Sequence, residues 1–236
     1  MTTQLSLPLI KLPKFDYQPL TRENINGKRH YCTPDGQKLA SVTTILDKTK
    51  SQESIEALQN WRKRVGADKA QIITSEAAGT GTVMHKMLEE HCLGIAKPPG
   101  TNNVQKIAYP MAQTIIKEGL VHLDECWGTE ISLYYPELYA GRTDLAGLWK
   151  GKEAILDFKQ TNKKKRREWI DDYFIQTIFY GVAHNKLYGT NIRTGVILMC
   201  SRACEYQEFV VEGNEWDRYE DEMWRRLDLY YQQLYK

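Results

Sequence analysis

Long apolar runs are missing from this chain. None approaches the roughly 20 residues that a membrane-spanning helix needs, and the mean hydropathy of −0.55 argues against lipid exposure. An excess of one charge is missing too. With 32 basic residues against 30 acidic ones the net charge is +2, so any nucleic-acid surface must come from local clustering. Cysteine is sparse, odd in number and scattered, at Cys32, Cys92, Cys126, Cys200 and Cys204. The close pair, Cys200 and Cys204, has no second pair to complete a zinc or iron–sulfur site. Free thiols in a reducing compartment are expected, which points to the cytoplasm. The start, MTTQLSLPLIKLPKFD, lacks a basic region followed by a continuous apolar core, so a secretory signal is not expected. Internal repeats and low-complexity tracts are also absent.

What is present is an ordinary globular composition, 42% hydrophobic and 26% charged over 236 residues, enough to bury a substantial core. The first 20 residues, with Pro8, Pro13 and Pro19, predict an extended lead-in. KRHYCTPDGQKLASVTTIL (28–46) predicts a hairpin turning at Pro34-Asp35-Gly36. A helix is expected from Gln52 to about Ala78, interrupted by Gly79-Thr80-Gly81 before a second helix, TVMHKMLEEHCLG. Pro98-Pro99-Gly100 predicts a loop, and Asn103 to about Leu123 a helix kinked or broken at Pro110. Residues 129–135 read as a strand. REWIDDYFIQTIFYGVAHNKLYG reads as a helix closed by Gly189. TGVILMC and EYQEFVVE read as strands before a terminal helix capped by Asn214. This order predicts one α/β domain over 1–236: lead-in and hairpin to 50, a helical part over 51–125, and an α/β core over 126–236.

GRTDLAGLWKGKEAILDFKQ (141–160) stands out within that core. Two apolar runs join at Lys150-Gly151, yet each carries an aspartate where a strand should be apolar. A two-residue hairpin loop pairs Trp149 with Lys152 and sets Asp144 opposite Asp157, with Lys159 opposite Arg142. Like charges directly opposed are destabilising. A divalent cation such as Mg²⁺ or Mn²⁺, which prefers carboxylate oxygen, resolves the conflict. The alternative is that both acids are solvated strand-end residues, with Lys159 paired to one of them.

The ordered set Gly-Arg-Thr-Asp144, Asp157-Phe-Lys159 and Gln176-x-x-x-Tyr180, with His85 upstream, resembles the PD-(D/E)XK nuclease superfamily. The upstream histidine is similar to that of the RecB-like branch, and within it to the mitochondrial genome maintenance exonucleases and phage exonucleases. The resemblance covers about residues 79–190, and SVTTIL near residue 41 is similar to the lead-in of some phage members. It implies a restriction-endonuclease-like fold, a central mixed sheet flanked by helices. It further implies that His85, Asp144, Asp157 and the Phe158 carbonyl bind the metal, with Glu130 beside them. Lys159 would hold the attacking water, Gln176 would sit near that water or the lysine, and Tyr180 would face nucleic acid. The iron–sulfur cysteine pattern of some RecB-like nucleases is not matched, so no cluster is expected.

Other readings stay open for single residues. Glu89 suits an exposed salt bridge as well as a supporting place at the site, Tyr180 suits core packing, and Arg142 either binds phosphate or neutralises the acids. The basic run Lys163, Lys164, Lys165, Arg166, Arg167 suits a solvated loop or phosphate binding. Trp61, Tyr31 and Tyr109 are candidates to stack on unpaired bases. The expected activity is metal-dependent DNA exonuclease action on single-stranded ends. A structure-specific or restriction-type endonuclease and a non-catalytic DNA-binding protein are the alternatives.

Overall fold

The structure, a computed structural model, describes residues 14–95, 98 and 100–234. Residues 1–13 of the expected lead-in, Pro99 of the expected Pro-Pro-Gly loop and residues 235–236 of the expected terminal helix lie outside them. The chain opens on a small antiparallel sheet of β1 (Thr21–Ile25), β2 (Lys28–Cys32) and β3 (Lys38–Ala40). Asn26 and Gly27 both have positive φ, 52° and 74°, the combination a tight two-residue turn requires. SVTTIL is not a strand. Ser41 accepts the Thr44 N–H at 3.1 Å and so starts α1 (Val42–Lys48).

Next come α2 (Gln52–Val65), α3 (Ala67–Cys92) and α4 (Asn103–Glu118). The break in the first helical stretch falls at Gly66, where φ is 85°, and Gly79 and Gly81 stay inside α3. Burial of Thr80, Met84 and Leu88 on the face packed against the sheet outweighs the roughly 1 kcal/mol that each helical glycine costs. Likewise α4 runs through Pro110 unbroken, because Ala108, Met111, Ala112 and Ile115 are all buried. It ends at Glu118, short of Leu123, which begins a strand.

The centre of the protein is a five-stranded mixed sheet. Its strands β4 (Leu123–Tyr135), β5 (Tyr139–Trp149), β6 (Lys152–Thr161), β7 (Thr194–Ser201) and β8 (Tyr206–Glu212) lie in sequence order. All neighbours are antiparallel except β6 and β7, which are joined through α5 (Asp171–Tyr188), as a parallel pair demands. All eight residues of β7 are buried, matching its unbroken apolar run. One sheet face packs Leu145, Leu156 and Phe158 against Met84, Leu88 and Ile115 of α3 and α4. The other packs Ile155 and Ile197 against α5, α1 and α6 (Asn214–Leu234). Asn214 is the first residue of that helix rather than its cap; the Gly213 carbonyl accepts the Asp217 N–H at 3.3 Å. Among the described residues, no helix is long and apolar enough to cross a membrane.

Arg226 ties α6 to two other helices. Buried at 4% exposure, it donates to Thr49 Oγ1 (2.8 Å) and the Leu46 carbonyl (2.5 Å) and pairs with Asp172. Arg226→Ala strands these acceptors and is expected to cost about 3 kcal/mol, read as a lower denaturation midpoint in urea. A midpoint within error of wild type would show the cluster to be energetically neutral.

Candidate active site

The site begins at the turn of the central hairpin. Lys150 and Gly151 have φ of 47° and 75°, and the β5–β6 ladder runs from Trp149–Lys152 to Leu145–Leu156. One step further, where Asp144 and Asp157 would face each other, the ladder stops. The expected direct opposition is not reached, because each carboxylate has a different partner. Asp144 Oδ2 accepts the Phe158 N–H at 2.6 Å, in place of a ladder carbonyl, and its Oδ1 lies 3.1 Å from His85 Nδ1 on α3. Asp157, only 2% exposed, pairs with the Lys159 ammonium. His85 and Lys159 thus offset part of the repulsion, and Asp144 still raises the Asp157 carboxyl.

Among the described residues, His85, Glu130 and Asp144 form a group that could hold a metal ion, with one ligand atom from each within 4.8 Å of the others. Glu130 reaches this group through an unusual backbone. Thr129 pairs with Leu145 and Ile131 with Thr143, while Glu130 between them has φ of 52°. Among the described residues five non-glycine positions have positive φ, and only Glu130 lies inside a strand. One imidazole nitrogen and two carboxylates form a donor set that could hold a divalent metal ion. Asp157, bound to Lys159, falls outside this trio, and Phe158 is engaged through its N–H.

Electrostatics follow from burial and neighbours. Burial opposes the charge on Asp144, but the His85 imidazole, Lys159 and the Phe158 amide outweigh it and hold the carboxyl below its usual range. Burial pushes Asp157 up to about 6, further than Lys159 can pull it down. Burial also works against His85 and Lys159, yet both are raised, by Asp144 and by the two aspartates respectively. Glu130 is raised by burial, with the Asp144 charge adding to it.

Alternation along β6 puts Asp157 and Lys159 on the α5 side. There Lys159 Nζ donates to Gln176 Oε1 at 3.4 Å and lies 4.8 Å from the Tyr173 ring centroid. Gln176 is also hydrogen-bonded to Tyr180, one helical turn on. Tyr180 is buried against Gly141, where a Cβ would sit 2.7 Å from its ring. The glycine of the Gly-Arg-Thr-Asp segment is therefore required by the tyrosine.

His85, Glu130, Gly141, Asp144, Asp157, Lys159, Gln176 and Tyr180 line a cleft of about 830 Å³ between α3, α5, the end of the β5–β6 ladder and the N-terminal sheet. Glu89 and Arg142 also line it, paired with Lys86 at 2.9 Å and Glu130 at 2.7 Å. The basic run does not line it. Arg167 is bound to Glu215 and to the Val210 carbonyl (2.8 Å), Lys164 to Glu205 (3.3 Å) and Arg166 to Glu168 (3.7 Å). Lys163 is exposed and Lys165 half-buried. Trp61 is half-buried on α2, outside the cleft. Tyr109 lines a separate cavity of about 500 Å³ against α3 and α4, and Tyr31 lines the cleft but is only 6% exposed. Sequence reasoning missed Arg22, Arg29, Ser41 and Thr43, which line the cleft from the N-terminal segment. Strand alternation marks the face of Arg22 and Arg29, and Ser41 and Thr43 stand at the start of α1, but nothing local ties them to residues 144–159.

No protein-family model matches the chain, and no curated protein is similar to it in sequence. In structure the chain is similar to a crystal structure from Eubacterium rectale described as a "putative exonuclease", with a TM-score of 0.47 and 15% identity. That similarity covers 65% of this chain and spans 64% of the other's length.

A metal held by His85 has to displace its proton. Because Asp144 raises the His85 pKa, Mn²⁺ affinity measured by calorimetry is expected to rise with pH through the neutral range and then level off. Below the His85 pKa the loss is about tenfold per pH unit. His85→Ala should bind more weakly and flatten the profile; pH-independent binding by the wild type would remove His85 from the ligand set.

Proposed function

We propose that the protein is a divalent-metal-dependent deoxyribonuclease of the PD-(D/E)XK, RecB-like kind. On this reading it works as an exonuclease on single-stranded ends in phage-like DNA replication, recombination or degradation. The observation that carries the proposal is the convergence of a His–Glu–Asp trio with ligand atoms within 4.8 Å and a buried Asp157–Lys159 pair in one cleft.

His85, Glu130 and Asp144 are the residues that would hold Mg²⁺ or Mn²⁺, which when bound supplies a lowered water pKa and polarises a phosphoryl oxygen. Lys159 then acts as a fixed cation at the edge of the site, donating to a water or to charge developing on the phosphate. Asp157 keeps that ammonium charged, and Gln176 restrains it through its amide oxygen. Tyr180, behind Gln176, fixes the rotamer of the amide. Arg142 offsets the charge of Glu130. Asp157 and the Phe158 carbonyl complete the proposed metal shell, with Asp157 also serving Lys159. Lys163 remains available for phosphates outside the cleft, the exposed Lys164 and Arg166 would have to leave Glu205 and Glu168 to join it, and Arg167 is committed to the fold.

End-labelled linear single-stranded DNA and a sealed circle of the same sequence, each with Mn²⁺, test the reading. The linear strand is expected to shorten from an end while the circle stays intact; nicking of the circle would make the enzyme an endonuclease. Lys159→Ala should lower turnover about 10²- to 10⁴-fold while Mn²⁺ affinity is retained. Undiminished degradation by Asp157→Ala would remove the site.

A further inference from the structure

The N-terminal sheet contributes a wall of the cleft, and its charge differs from that of the rest. Of the cations lining the cleft, Lys86, Arg142 and Lys159 are each paired with a carboxylate, of Glu89, Glu130 and Asp157. Arg22 on β1 and Arg29 on β2 line it as well, and among the described residues neither side chain has an ion-pair or hydrogen-bond partner. Glu23, the acid next to Arg22, is taken by Lys38 at 2.9 Å.

The register makes the two arginines neighbours. Arg22 pairs with Tyr31 and Asn24 with Arg29, so period-two alternation puts Arg22, Arg29 and Tyr31 on one face, the arginines diagonal to each other. That face is held in place by backbone hydrogen bonds and by packing on its own side. The Arg29 carbonyl accepts the Ser41 N–H at 3.0 Å and the Thr44 hydroxyl at 3.1 Å, and Tyr31 packs with Leu39 and Ala140, under β5. Arginines at diagonal positions of a sheet repel each other, and an anion between them relieves the repulsion. Guanidinium is also the side-chain group whose planar fork matches a phosphate bidentately.

We infer that Arg22 and Arg29 form a phosphate clamp that grips the backbone of a nucleic-acid strand on the wall facing the His85–Glu130–Asp144 group. The inference rests on the nuclease reading and adds to it a strand-holding subsite supplied by the N-terminal segment. One wall then holds the strand while the other performs the chemistry. The clamp reads backbone charge, so it holds a strand without regard to base sequence.

The test is metal-free binding of a fluorescein-labelled single-stranded oligonucleotide, followed by anisotropy across a salt series. Every phosphate left without its cation is expected to flatten the slope of log affinity against log salt by about 0.7. Arg22→Ala/Arg29→Ala should therefore lower the slope by about 1.4 and weaken binding at least about tenfold. Arg22→Lys/Arg29→Lys, which keeps the charges, should restore the slope. Thermal midpoint and Mn²⁺ affinity serve as controls, and both should stay at wild-type values, separating loss of the two guanidinium groups from misfolding. Wild-type slope and affinity in the alanine pair would overturn the clamp and leave the nuclease reading standing. If the wild-type protein neither binds nor degrades DNA, both fall together.

Discussion

The site depends on one carboxylate placed where two strands part. Asp144 has one oxygen on the Phe158 amide and the other facing the His85 imidazole. In a single side chain it substitutes for a missing ladder acceptor, fastens α3 to β5 and offers an oxygen to the group that could hold a metal ion. A buried carboxylate with these partners keeps its charge at neutral pH against the cost of leaving water. The partition of charge nearby follows from it. With Asp144 held ionised, Asp157 carries the strain of a second buried acid, and Lys159 is drawn in to balance it.

The fold carries this through a division of labour between sheet faces. The apolar faces of β5 and β6 are committed to two packed layers of helix, so the strands are rigid up to the point where the acids appear. Lys159 and Gln176 then meet because β6 and β7 are parallel, which obliges the chain to cross over through α5. The connection that topology demands is the one that brings Gln176 and Tyr180 over the cleft.

Much of this was legible in the chain itself. The unbroken apolar run of β7, the Lys150-Gly151 turn and the left-handed Gly189 that ends α5 each follow from local chemistry, and the structure has them where they were expected. The site acids were legible because charge in an apolar strand is conspicuous. Other features were set by distant partners. Gly66 breaks the helix and Gly81 does not, because only the second is covered by packing. The two aspartates part company because a histidine 59 positions upstream claims one of them. The basic run looked available for DNA, yet Arg167 is consumed by Glu215 and a carbonyl of β8.

Glu130 shows what the arrangement costs. A glutamate in left-handed backbone within a strand carries a penalty of about 1 kcal/mol that glycine or asparagine would largely avoid. Selection for thermostability alone would therefore favour exchanging the acid for a residue at ease in that conformation, and the carboxylate would be lost with it. Position 130 is a natural place to look for a trade between robustness and chemistry, since exchanging the acid would remove one of the three side chains that could hold a cation.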